Sequence, residues 1–216
     1  MSITYLQAVN DVLARLREAS VVTVSQTTYS ALIGKFINDA KRYVEDSWNW
    51  NAQKKTITVN TVAGTSTYVV TGSGLRHKGA VINNSTQFGE ILNYPLQWIL
   101  DQQQLSVVQP SLPSYYAWNG NDGTDSKIEL FATPDSAYAL KVNLYVPQVD
   151  LVAESDVIAL LPDAILHLAY ARALVERGED GGLGSSEAYQ LGKSILADQI
   201  AIESGRYVEN DCWVAV

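Results

Sequence analysis

The sequence predicts an α+β protein: N- and C-terminal helical pairs form a four-helix bundle, and a small antiparallel β-sandwich or barrel is inserted between them. Three observations lead there. Apolar residues recur at spacings of three and four near both ends of the chain, which places them on one face of a helix. The middle hundred residues show short β-branched and aromatic runs bounded by Gly, Pro, Asn and Asp, the pattern of strands and turns. Charge divides along the same lines: of a formal net charge of −8, residues 1–50 carry 0, residues 51–150 carry −1 and residues 151–216 carry −7.

Leu6, Val9, Leu13 and Leu16 define a first helix. The run Val21-Val22-Thr23-Val24 interrupts it, since branching at Cβ crowds the preceding helical turn. A second helix starts around Ser25 to Thr28, where side-chain hydroxyls can accept from the free amides of a first turn. Its stripe runs through Leu32, Ile33, Phe36, Ile37, Ala40, Tyr43, Val44 and Ser47 to Trp48. Lys55–Val59 alternates, Ala63-Gly64-Thr65 is a turn and Thr67–Thr71 is β-branched and aromatic, which together predict a hairpin. Gly79–Asn83 and Phe88–Leu92 make a second pair, and Pro95 opens a short helix within Tyr94–Gln104. Tyr115–Trp118 and Lys127–Phe131 flank a loop from Asn119 to Gly123, and Ala139–Val146 is the last long strand.

Helices then return. Pro162 opens one that runs to Glu176, with Ile165, Leu168, Ala169, Leu174 and Val175 inside. A glycine-rich break follows, and Ser185 caps a last helix carrying Ala188, Leu191, Ile195, Leu196, Gln199 and Ile202. An isolated pair of amphipathic helices is marginal in water, because each apolar stripe needs a partner. Packing the two pairs together meets that need. The helical domain is then discontinuous, residues 1–50 plus 151–216, around an inserted β domain at 51–150, with 206–216 as a C-terminal tail.

The chemistry available is sparse. The acidic balance argues against an exposed basic face that grips duplex DNA. Cys212 is the single cysteine, which excludes an intramolecular disulfide or a cysteine zinc site and suits a reducing cytoplasm. His77 and His167 offer little for metal or acid–base work, and Ala171 stands where a second ligand one turn after His167 would be. Gly192-Lys193-Ser194 resembles the end of a phosphate-binding loop, yet Glu187 occupies the required glycine and the triplet lies inside a predicted helix. Glu45-Asp46 continues a solvated helix face, and Asp122 with Asp125 sits in a loop that lacks calcium-loop spacing. No catalytic, cofactor or metal site is expected. The N-terminus, Met1-Ser2-Ile3-Thr4, has no basic region followed by an apolar core and is not expected to be a signal peptide, and the longest charge-free stretches, Thr56–Leu75 and Gln102–Asn121, are too polar to span a membrane.

Aromatic residues carry the remaining signal. Tyr115, Tyr116 and Trp118 share one strand and are candidate interface aromatics. In the tail, Trp213 with Tyr207 and Val214 are candidate docking residues, since tryptophan is favoured as a buried anchor at interfaces.

The second helix and its exit, Ile33-Gly34-Lys35-Phe36-Ile37-Asn38-Asp39-Ala40-Lys41-Arg42-Tyr43-Val44-Glu45, then Trp48-Asn49-Trp50 and Lys55-Thr56-Ile57-Thr58-Val59, resemble head-to-tail adaptor proteins of tailed bacteriophages. The group they are most similar to is the tail tubular protein A-like adaptors, or gatekeepers, of short-tailed phages. Leu161-Pro162-Asp163, opening a helix with Ala169-Tyr170-Ala171-Arg172-Ala173-Leu174, looks like that group's third helix. The resemblance implies a virion protein of the neck, made in the host cytoplasm. It implies a homo-oligomeric ring of twelve copies that binds the portal protein and the tail nozzle and surrounds the DNA channel. A net-negative wall lets DNA pass without holding it, so Glu203, Glu209 and Asp211 are candidates for an acidic lumen. Two rival readings stand beside this one: a carbohydrate- or receptor-binding module using the strand aromatics, and a hydrolase.

Overall fold

A computed structural model describes residues 2–84, 89–104, 109–178 and 182–206. Along the chain run α1 (Tyr5–Arg15), α2 (Thr28–Ser47), β1 (Lys54–Asn60), β2 (Thr67–Val69), β3 (Lys78–Asn84), β4 (Gly89–Asn93) and α3 (Leu96–Gln103). They are followed by β5 (Tyr115–Asn121), β6 (Ser126–Phe131), β7 (Ala139–Tyr145), α4 (Pro162–Arg177) and α5 (Leu183–Ser204). The class is mixed α+β. Two compact units result, residues 1–52 with 148–216, and residues 53–147.

In the helical unit, α1 begins at a reciprocal cap. Thr4 Oγ1 accepts from the Gln7 amide at 3.3 Å, and Gln7 Oε1 accepts from the Thr4 amide at 2.9 Å, which satisfies two otherwise orphan donors. Thr27 and Ser30 repeat the device at α2. Val9, Val12 and Leu13 of α1, Ile33, Ile37 and Val44 of α2, Ile165 and Leu168 of α4, and Leu196 of α5 share one apolar cluster. The hub is α4, which packs against α1, α2 and α5. Its buried Ala164, Ala169 and Ala173 allow close approach on several sides. It ends at Gly178, whose φ of 65° is a left-handed stop that a side chain would strain.

The last helix starts earlier than expected. Gly182 is its N-cap, and Ser185 lies buried in the first turn with its hydroxyl donated to the Gly182 carbonyl at 3.0 Å. Gly192-Lys193-Ser194 sits inside α5, and a Cβ added at Gly192 would stand 3.1 Å from Leu168 Cδ2 and 3.3 Å from His167 Cβ. That glycine lets α5 approach α4.

In the β unit the strand order is β1-β7-β3-β4-β5-β6-β2. Alternation sets the core: Leu140, Val142 and Leu144 of β7, Ile57 and Val59 of β1, and Ile128 and Leu130 of β6 point inward with Ile82, Ile91 and Tyr116. Two expectations change here. The hairpin expected from Lys55–Val59 and Thr67–Thr71 does not form, because β1 pairs with β7 and β2 with β6, at opposite edges of the sheet. The chain after β1 keeps following the start of β7: the Thr61 amide donates to the Tyr138 carbonyl at 2.9 Å, and the Gly64 amide to the Pro134 carbonyl at 2.8 Å. These distant partners outcompete the local turn. The sheet is also not purely antiparallel, since β4 and β5 pair in parallel through Leu92–Tyr115 and Asn93–Tyr116. The α3 segment supplies the crossover that parallel neighbours need.

Candidate partner-binding surfaces

In the helical unit the residues with the strongest chemistry are structural. Glu45 was expected on a solvated face, yet it is 1% exposed and pairs with Lys41, which is 0% exposed. Positions i and i+4 of α2 bring the two together. Lys41 Nζ donates to Glu45 Oε1 at 3.2 Å, to the Gln148 carbonyl at 2.7 Å and to the Val149 carbonyl at 3.1 Å, and the Gln148 amide donates back to Glu45 Oε1 at 3.1 Å. The pair therefore clasps the returning chain onto α2. The sequence offered one faint signal, a lysine and a glutamate at the edge of an otherwise apolar stripe.

His167 accepts at Nε2 from Arg15 Nη1 at 3.1 Å. Burial, then the Arg15 charge, push its pKa below the ordinary range against the opposing pull of Asp163. The Arg15 guanidinium thus occupies the Nε2 side of the ring. The Asp122 carboxylate accepts from the Thr124 and Asp125 amides at 2.9 and 2.8 Å, and its pKa is lowered by those backbone bonds. Asp125 Oδ1 accepts from the Gly74 amide at 2.8 Å. The Asp122 oxygen closes its own turn and the Asp125 oxygen ties that loop to Gly74, and among the described residues no group of three or more His, Cys, Asp and Glu side chains could hold a metal ion. No described helix is long and apolar enough to cross a membrane.

The candidate aromatics of β5 separate. Tyr116 is in the core, 1% exposed, with its hydroxyl donated to the Ala80 carbonyl at 2.9 Å. Trp118, two residues on and so on the same side, packs on His77 with ring centroids 4.1 Å apart. Tyr115 faces the other way and joins a half-exposed cluster that the sequence did not suggest. Trp98 meets Tyr94, Tyr115 and Phe131 at centroid distances of 4.6, 5.4 and 5.3 Å, each edge to face. Tyr94 stands just before the Pro95 cap of α3 and Trp98 in that helix's first turn, and Tyr115 and Phe131 are directly opposite on paired strands.

Beside this cluster lies Glu129, buried at 3% exposure. Its carboxylate accepts from Thr67 Oγ1 at 2.7 Å, Gln103 Nε2 at 2.8 Å and Asn119 Nδ2 at 3.1 Å. Burial alone would raise its pKa, but hydrogen bonds from Ser66, Thr67, Gln103 and Asn119 outweigh it and hold the group below the ordinary glutamate range. A lowered folded-state pKa means stability present above the unfolded value and lost as pH falls through the folded one. Glu129→Gln turns one acceptor toward these donors into a donor, and is expected to cost about 1–3 kcal/mol at neutral pH. Thermal melts across pH check this: the wild type should lose its advantage over the variant at acid pH, and an equal gap at every pH would contradict the assignment.

The helical unit also carries an apolar groove of about 500 Å³, lined by Phe36 of α2, Ala171 and Val175 of α4, and Ser185, Ser186 and Tyr189 of α5, with Arg172 and Glu176 on it. Val175 is 68% and Tyr189 44% exposed. Next to Tyr189, Lys193 lies over the Tyr43 ring with Nζ 4.9 Å from its centroid and donates to the Tyr43 hydroxyl.

Of the three acidic lumen candidates, Glu203 is described and is not free: it is buried, accepts from the Asn51 amide at 2.8 Å and pairs with Arg206 at 3.0 Å. Glu209 and Asp211, and the tail candidates Tyr207, Trp213 and Val214, lie outside the described residues.

A family model described as SU10 adaptor protein matches residues 3–210 of the chain. No curated protein matches it.

Proposed function

Because the chain belongs to the SU10 adaptor protein family, whose members are bacteriophage head-to-tail adaptors, we propose that it forms the ring joining the portal protein to the tail nozzle. Membership makes it a structural component of the phage particle. The ring, its twelvefold count, the enclosed DNA channel and the kinship with tail tubular protein A-like gatekeepers are parts of the proposal. So is a mode of action by binding, without catalysis. The family match along nearly the whole chain is the observation that carries it.

The surfaces and charge of the chain fit such a role. Exposed Tyr94 with half-buried Trp98 and Tyr115 on the β unit, and the apolar groove on the helical unit, are surfaces of the kind that subunits bury. The net charge of −8 suits a conduit that repels phosphate. With Glu203 internally paired, the repulsion rests on the net charge as a whole, and Glu209 and Asp211 go with the docking tail. In this reading Tyr207, Trp213 and Val214 dock the ring to its partners.

The test is a chain ending at Arg206, which keeps the Glu203 pair. It should keep the far-UV spectrum and melting temperature of the full chain and lose recovery with the source phage's portal in pull-down and sedimentation. Undiminished recovery would remove the tail from the docking role.

A further inference from the structure

We propose that the groove formed by Phe36, Ala171, Val175 and Tyr189 receives residues 207–216 of a second copy of this chain, with Trp213 as the inserted anchor. The inference rests on the docking role given above to those residues and names their receptor. Three observations carry it. The groove is apolar and its walls Val175 and Tyr189 are well exposed, which leaves an unburied surface beside α5. The segment is Tyr-Val-Glu-Asn-Asp-Cys-Trp-Val-Ala-Val, an aromatic and aliphatic end preceded by two acids. Lys193 and Arg172 stand at the groove to meet those acids, although Arg172 already pairs with Asp39 and Glu176 shares the rim.

Reach decides between the chain's own groove and another copy's. At 1.5 Å per helical residue, the α5 side of the groove lies about 26–32 Å back from Arg206. Residues 207–213 span at most about 25 Å when fully extended, with none left over to reverse direction at the end of α5. A copy placed alongside has no such constraint. Chained from one protomer to the next, this contact is heterologous, the kind that closes rings.

Cys212, beside Trp213 and the sole cysteine, supplies the test. A full-length chain carrying Val175→Cys and Cys212→Ser is mixed with a differently tagged unaltered chain and oxidised. Disulfide-linked heterodimers are read on non-reducing gels, with the linked peptides identified by mass spectrometry. The yield should exceed by about tenfold that from Val152→Cys, a control at an 81% exposed position that does not line the groove, and should fall about tenfold when the unaltered chain carries Trp213→Ala. Equal yields at positions 175 and 152 would overturn the proposal. So would a link that forms only within one chain when Val175→Cys retains Cys212. Neither outcome touches the portal pull-down, so a tail that docks only on the portal would be told apart from one with no docking role.

Discussion

Lys41→Ala should cost about 3–5 kcal/mol, because it leaves the Glu45 carboxylate buried without its counter-charge. The effect is large for two reasons. Glu45 is 1% exposed and cannot recover water, and the Gln148 and Val149 carbonyls lose their donor at the point where the chain re-enters the helical unit. Shape is not the issue, so Lys41→Met should be nearly as damaging. Replacing both partners, Lys41→Met with Glu45→Leu, should recover only part of the loss: an apolar pair strands no charge, but the Gln148 amide and the Gln148 and Val149 carbonyls still lose their side-chain partners. Urea unfolding followed by far-UV circular dichroism reads all three variants. A cost below about 1 kcal/mol for Lys41→Ala would show the pair to be hydrated, contrary to the burial described here.

Gly34→Ala should destabilise the helical unit by about 1–3 kcal/mol, against the usual gain of roughly 1 kcal/mol for replacing a mid-helix glycine. A Cβ at this position would stand 2.3 Å from Tyr5 Oη and 2.9 Å from Val24 Cγ1. Tyr5 is buried in the core, so its ring cannot simply swing away. Removing the hydroxyl relieves the 2.3 Å overlap and leaves Val24 Cγ1 at 2.9 Å and Tyr5 Cζ at 3.1 Å as the nearest atoms, so Tyr5→Phe with Gly34→Ala should cost less than the sum of the single changes. A more stable Gly34→Ala would contradict this packing.

These two sites mark where the chain was legible and where it was not. Elements declared by local periodicity were readable: Val9 and Leu13 in α1, Ile33 to Val44 in α2, and the alternation of Leu140, Val142 and Leu144 in β7. Strand partners were not, because pairing β1 with β7 across some eighty residues depends on contacts that no local pattern encodes. The same holds for Gly34 and Gly192, whose need for a missing side chain comes from Tyr5 and Leu168, distant in sequence. Glu45 misled because charge at the end of a helix is usually solvated. The parting of Tyr115 from Tyr116 and Trp118 was readable, since alternate residues of a strand face opposite ways. The Tyr94–Trp98 cluster needed the β5–β6 register.

The central claim is that this chain is a ring-forming adaptor between portal and tail, and electron microscopy of the full-length protein mixed with its phage's portal tests it most directly. The expected result is an added ring of density coaxial with the portal, repeating with its symmetry and leaving the central channel open. A portal left bare, or copies bound away from the axis at separate peripheral positions, would contradict it.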